Sequence, residues 1–169
     1  MLTIVLPGYS SGNSAWAKSI AERVNLDHSI IVHEWRHWKE GGTLSESYEI
    51  QKIIDEIGNS KVNIIAKSVG TRITMNLIDK VVNNIEKIIL CGIPTKFEGA
   101  GIRDLYTKGL KSVPPAKILV IQNSGDPFSP YIVVNEVIHS IEASIKVIEK
   151  PANTHDYPYF EDFELFLQS

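Results

Sequence analysis

The sequence predicts an α/β protein, a three-layer sandwich in which a parallel sheet of about six strands carries helices on both faces. Three observations predict it. Six short runs rich in β-branched residues, at 2–6, 29–34, 62–66, 87–91, 118–122 and 145–149, are nearly continuous in apolar residues, as strands buried on both faces require. Between them lie longer stretches whose apolar residues recur every three or four positions, the period of a helix with one buried stripe. The alternation of the two is the pattern of successive βα units feeding a parallel sheet.

Taken in order, the first strand ends at Pro7-Gly8, a pair that breaks regular structure, and a helix over 15–24 follows. The second strand, 29–34, leads to a helix over 45–57, and the third, 62–66, runs directly into a helix over 70–82. After the fourth strand, the stretch 94–115 is the least periodic. It holds several glycines and Pro114-Pro115, which ends any helix, and reads as a loop with one short helix. The fifth strand precedes a helix over 130–141 with Ile132, Val133, Val137, Ile138 and Ile141 at helical spacing. The sixth precedes a last helix over 158–167 that can dock Phe160, Phe163 and Phe166. With no repeat, low-complexity tract or long linker, residues 1–169 are expected to form one domain.

Composition narrows the function. The chain has 169 residues, 43% apolar and 22% charged, close to ordinary globular usage. Its formal charge of −3 is spread without a basic stripe, which argues against a nucleic-acid partner. Cys91 is the only cysteine, so no intrachain disulfide or Cys-based zinc site can form, and a reducing cytoplasm suits it. The N-terminus lacks the basic start and cleavage site of a signal peptide, and no apolar run approaches the ~18 residues needed to span a bilayer.

The chemistry begins at Val62 to Thr71, a buried strand entering a helix through Ala66-Lys67-Ser68-Val69-Gly70. A serine on a sharp strand-to-helix turn holds its hydroxyl clear of the backbone, and the strained turn needs small neighbours two residues away on either side. Such a serine alone also reads as an N-cap. Asp126 leaves the fifth strand in a Gly125-Asp126-Pro127 turn, where an Asx-turn is the plain alternative, and His155 follows the sixth strand in Asn153-Thr154-His155. Together, in the order Ser, Asp, His and at the carboxyl ends of three strands, they supply a nucleophile, a base that takes its proton, and a carboxylate that fixes the base's tautomer. The Val69 amide and an amide of the loop Pro7 to Gly12, best that of Tyr9, are placed to receive an oxyanion.

On these residues the chain resembles the α/β-hydrolase superfamily, in particular the small lidless serine hydrolases similar to the retinoblastoma-binding-protein-9 group. Leu6-Pro7-Gly8-Tyr9 is similar to the family's oxyanion loop, Ala66 to Gly70 to its nucleophile elbow, Gly125-Asp126-Pro127 to its acid turn, and Thr154-His155 to its histidine loop. The resemblance implies a minimal fold lacking the family's first two strands. The stretch between the fourth and fifth strands, where the family inserts caps, is too short for a large lid.

The expected function is therefore a carboxylesterase-like Ser-His-Asp hydrolase of small esters or thioesters, with no cofactor and no metal. An amidase or peptidase is one alternative, and a binding protein that keeps the fold and acts through a protein partner is another. Ser10, Trp16 and Trp35 are candidates for the substrate pocket, with packing the competing role for both tryptophans. Asp156 is passed over as the acid because adjacent side chains on an extended loop point apart. His33 and His37 lack companions for a metal site. Lys67 and Arg72 are read as solvated charges at a helix start, and Cys91 as a small hydrophobe.

Overall fold

Residues 1–95 and 101–169 are described by the computed structural model of the chain. Six strands, β1 (Leu2–Leu6), β2 (Ser29–Val32), β3 (Val62–Lys67), β4 (Ile85–Cys91), β5 (Ile118–Asn123) and β6 (Lys146–Lys150), form one sheet in the order β2-β1-β3-β4-β5-β6. Every neighbouring pair is parallel. The helices are α1 (Asn13–Arg23), α2 (His37–Glu40), α3 (Glu46–Ile57), α4 (Val69–Val81), α5 (Ile102–Lys111), α6 (Tyr131–Ile141) and α7 (Phe160–Gln168).

Strand residues alternate between two cores, because successive side chains of a strand point to opposite faces. Leu2, Ile4 and Leu6 of β1 join Ile64 and Ala66 of β3 and Leu90 of β4 in the core shared with α3, α4, α5 and α6. Val5, Ile65, Ile89 and Cys91 face the other way, against Ala17 and Ile20 of α1 and Phe163 of α7. Buried on both sides, β1, β3 and β5 carry no exposed residue, whereas the edge strands β2 and β6 are half-exposed.

From β1 the chain moves outward to β2 and then returns to β3 on the opposite side of β1. This reversal separates the loops at the carboxyl ends of β1 and β3 and opens the crevice in which open α/β sheets place their ligands.

The element order and the six-stranded parallel sheet agree with the sequence reading. β2, however, stops at Val32, two residues before the expected end. Beyond the last ladder bond, from the His33 amide to the Val5 carbonyl, His33 turns its imidazole inward between Glu49 and Glu56, and the chain bends into the unanticipated α2. Of the stretch read as a loop with one short helix, α5 is the helix, while residues 96–100 lie outside the described residues.

Candidate active site

Ser68 joins β3 to α4 with φ 54° and ψ −120°, the one non-glycine at positive φ among the described residues. A left-handed serine is costly and persists only where its surroundings fix it. Here the Ser68 amide donates to the Cys91 carbonyl at 3.0 Å. Its carbonyl accepts the Thr71 amide at 2.9 Å and the Thr71 hydroxyl at 2.6 Å. The Tyr106 hydroxyl lies 2.6 Å from that of Thr71 and ties α5 to the turn. Gly70 is required by contact: a β-carbon there would stand 2.2 Å from the Leu6 carbonyl oxygen. The elbow therefore presses against the end of β1.

Asp126, in the loop after β5, is 2% exposed. Its Oδ2 accepts His155 Nδ1 at 2.6 Å and the Tyr157 hydroxyl at 2.5 Å, and its Oδ1 accepts the Phe128 amide at 2.8 Å. Burial alone would raise its pKa, but the donors on His155, Tyr157 and Phe128 outweigh it and hold the carboxyl below its ordinary value. The bond from Nδ1 leaves Nε2 as the basic nitrogen of His155. Nε2 is buried and has no hydrogen-bond partner among the described residues. The ring is held by Phe128, centroids 4.6 Å apart, and by the edge of Tyr157 at 5.8 Å. Gly92 makes room for it, since a β-carbon there would lie 2.8 Å from His155 Cε1. Asp156 is exposed, and its carboxylate stands 3.8 Å from the Lys67 ammonium.

The loop after β1 is pinned through its carbonyls. Trp35 Nε1 donates to Gly8 O at 2.9 Å, and Trp38 Nε1 and His37 Nε2 donate to Tyr9 O at 2.7 and 2.9 Å. The Tyr9 and Val69 amides donate to no other described residue.

Ser68, His155, Val69, Tyr9 and Ser10 all line one cavity of about 560 Å³, with Arg72, Tyr106 and Phe128 among its other walls. Trp35 and Trp16, expected at the pocket, do not line it. Trp35 is fully buried and its indole is spent on Gly8, while Trp16 packs on the α1–α7 side and donates to the Tyr157 carbonyl at 2.9 Å. Lys67 departs most from expectation: it is buried, and its Nζ donates to Asn13 Oδ1 at 2.9 Å. Tyr157 and Asn13 were not singled out by the sequence, since a tyrosine two residues past a loop histidine and an asparagine opening a helix carry no distinctive signal.

Among the described residues no group of three or more His, Cys, Asp or Glu could hold a metal ion, and no helix is long and apolar enough to cross a membrane. Both ring nitrogens of His33 are taken, by Glu56 at 2.8 Å and Glu49 at 3.0 Å.

No family model and no curated protein matches the chain by sequence. Solved structures do match in three dimensions. An α/β serine hydrolase homologue from Coxiella burnetii has a TM-score of 0.75 at 15% identity, over 99% of this chain and 84% of that one. A lidless α/β serine hydrolase from Xanthomonas campestris has a TM-score of 0.70 at 16% identity, over 99% and 78%. An esterase from a marine microorganism has 0.65 at 15%, over 99% and 92%. The fold of this chain is the α/β-hydrolase fold.

Proposed function

We propose that the chain is a serine hydrolase of small carboxylic esters or thioesters, working through an acyl-enzyme on Ser68, with residues 1–169 acting as one domain. The observation that carries the reading is the 2.6 Å bond between His155 Nδ1 and Asp126, which leaves Nε2, without a partner among the described residues, on a residue that shares its cavity with Ser68.

Nε2 takes the Ser68 proton as Oγ forms a bond to the substrate carbonyl carbon. Negative charge passes to the carbonyl oxygen, which the Tyr9 and Val69 amides receive. Collapse of the tetrahedral adduct breaks the bond to the alcohol or thiol, which leaves with the proton from the imidazolium. Water, deprotonated by the same Nε2, then attacks the acyl carbon; collapse of this second adduct breaks the bond to Ser68 Oγ, which takes back the proton from the imidazolium as the carboxylic acid leaves. The cavity of about 560 Å³ suits a small ester or the end of a longer one. Cys91 is a buried free thiol, which suits a reducing compartment, and the cytoplasm is the location we propose.

The test is hydrolysis of short p-nitrophenyl esters by wild type and by Ser68→Ala, Asp126→Asn and His155→Ala, with fluorophosphonate labelling of Ser68 alongside. Each variant is expected to lose on the order of 10⁴-fold in turnover. A wild type inert to an ester panel and to the label would replace this reading with that of a binding protein.

A further inference from the structure

Lys67 leaves β3 one residue before Ser68, and its side chain is only 4% exposed. A lysine ammonium is rarely buried without a partner. This one donates to Asn13 Oδ1 at 2.9 Å, stands 3.8 Å from Asp156 Oδ1, and lies over the Trp16 ring 5.4 Å from its centroid. Because Oδ1 is occupied by the ammonium, the Asn13 amide presents Nδ2 in the other direction, where it donates to both the carbonyl and the hydroxyl of Ser10 at 3.0 Å. Gly8 is closed against the same amide, since a β-carbon at Gly8 would stand 2.7 Å from Asn13 Oδ1. The ammonium thus joins three segments: the elbow that carries it, the loop 8–10, and, more weakly through exposed Asp156, the loop of His155.

We propose that Lys67 is a positioning residue of the hydrolytic site, its ammonium orienting the Asn13 amide so that the Gly8 to Ser10 loop is held in register with Ser68. This rests on the serine-hydrolase reading above. The loop's amides act on charge that exists only in the transition state, so misplacing them lowers kcat and leaves KM nearly unchanged. A displacement near 1 Å in such donors costs on the order of 10²-fold.

The charge also gives a pH signature. Burial depresses the ammonium's pKa, and Asp156, Cys91 and Asp126 only partly oppose this. Those three face it from the histidine loop, β4 and the acid loop. Burial pushes the Cys91 thiol up, so it stays neutral, and Asn13 and Trp16 of α1 carry no charge. Loss of the proton converts a charge-assisted bond to Asn13 into an ordinary one, so turnover falls at alkaline pH.

The experiment compares wild type, Lys67→Met, Lys67→Arg, Asn13→Ala and the Lys67→Met/Asn13→Ala double variant, reading kcat, KM, their pH profiles and the fluorophosphonate labelling of Ser68. Met is close in shape to the lysine stem, and the one carboxylate it leaves behind, Asp156, is exposed, so no buried charge is stranded. Asn13→Ala, at the start of α1 and outside both cores, tests the same link without touching β3. Lys67→Met and Asn13→Ala are expected to lower kcat about 10- to 100-fold at similar KM, the double variant no more than either. Lys67→Arg should restore most of kcat and move the alkaline limb upward. If Lys67→Met keeps the wild-type profile, or the two losses multiply, the proposal is overturned. A wild type that neither turns over esters nor labels overturns the serine-hydrolase reading itself, whereas one that labels normally while Lys67→Met retains full kcat overturns the positioning role alone.

Discussion

The Tyr157 hydroxyl donates to Asp126 Oδ2 at 2.5 Å, the same oxygen that His155 Nδ1 reaches at 2.6 Å. One carboxylate oxygen thus serves two donors, and the tyrosine that shares it is fully buried and also accepts the Asn123 amide at 3.3 Å. Burial first, and then the neighbouring carboxylate, push the phenol far above its ordinary pKa, so it remains a donor at every working pH.

Removing that hydroxyl tests the acid. In Tyr157→Phe, Asp126 loses one of the donors that hold its pKa down, and the Asn123 amide loses its acceptor. We expect a loss of about 2 kcal/mol in stability. The sign with pH follows from the direction of the shift: a carboxyl held below its unfolded value contributes stability above that value, which disappears as pH falls through the folded one. Tyr157→Phe raises the folded value, so acid unfolding, followed by tryptophan fluorescence, should move to higher pH. An unchanged acid midpoint would show that the hydroxyl does not support the ionised carboxylate.

Gly70 and Gly12 make a matched pair. At Gly70 a β-carbon would stand 2.2 Å from Leu6 O and 2.9 Å from Pro7 O, both backbone atoms at the root of the loop 8–10. Gly70→Ala can be accommodated only by parting the elbow from β1, at a cost of about 3 kcal/mol and a large fall in ester turnover. At Gly12, φ is −59° and the nearest atom to a β-carbon would be Ser10 Oγ at 3.7 Å, an ordinary contact. Gly12→Ala should change stability by less than about 1 kcal/mol, in the stabilising direction. Urea midpoints of the two variants distinguish a contact requirement from a general intolerance of alanine.

The strands were legible because each is a short, nearly unbroken apolar run, and with them the strand-end positions of Ser68, Asp126 and His155. What escaped was contact across the fold. Lys67 reads as a solvated charge because a lysine beside a helix start usually is one, and only the folded chain shows Asn13 and Trp16 of α1 closing over it. Trp35 reads as a pocket wall or plain packing because a sequence does not reveal that its indole N–H ends on Gly8, as that of Trp38 ends on Tyr9. The helix α2 was missed because four residues are too few to display a period.

Those two indoles differ in what they protect. Trp35 is fully buried, so Trp35→Phe leaves the Gly8 carbonyl without its donor and opens space beside it. The expected cost is about 2 kcal/mol in stability and about tenfold in turnover. Trp38→Phe removes an exposed bond to Tyr9 O, which keeps its second donor, His37 Nε2, and should cost less than about 1 kcal/mol. Thermal unfolding together with kcat checks both, and equal effects would mean that the loop is not held from the buried side.

His33 makes stability itself depend on pH. Its ring is 2% exposed and bonded to Glu56 and Glu49, and Glu49, 1% exposed, also accepts the Arg36 amide at 3.0 Å. Burial alone would depress the imidazolium, but the two carboxylates outweigh it and the pKa is raised above 6.5. A basic group raised in the folded state contributes stability that is fully present below its unfolded pKa and is lost as pH rises through the folded one. His33→Gln keeps hydrogen-bonding capacity and removes the titration, so the stability difference between wild type and variant should shrink as pH is raised from about 6 to about 9. Urea denaturation at the two pH values measures that difference directly. A difference that holds constant would mean that folding leaves the imidazole's pKa unchanged, and that Glu49 and Glu56 orient the ring without favouring its charged form.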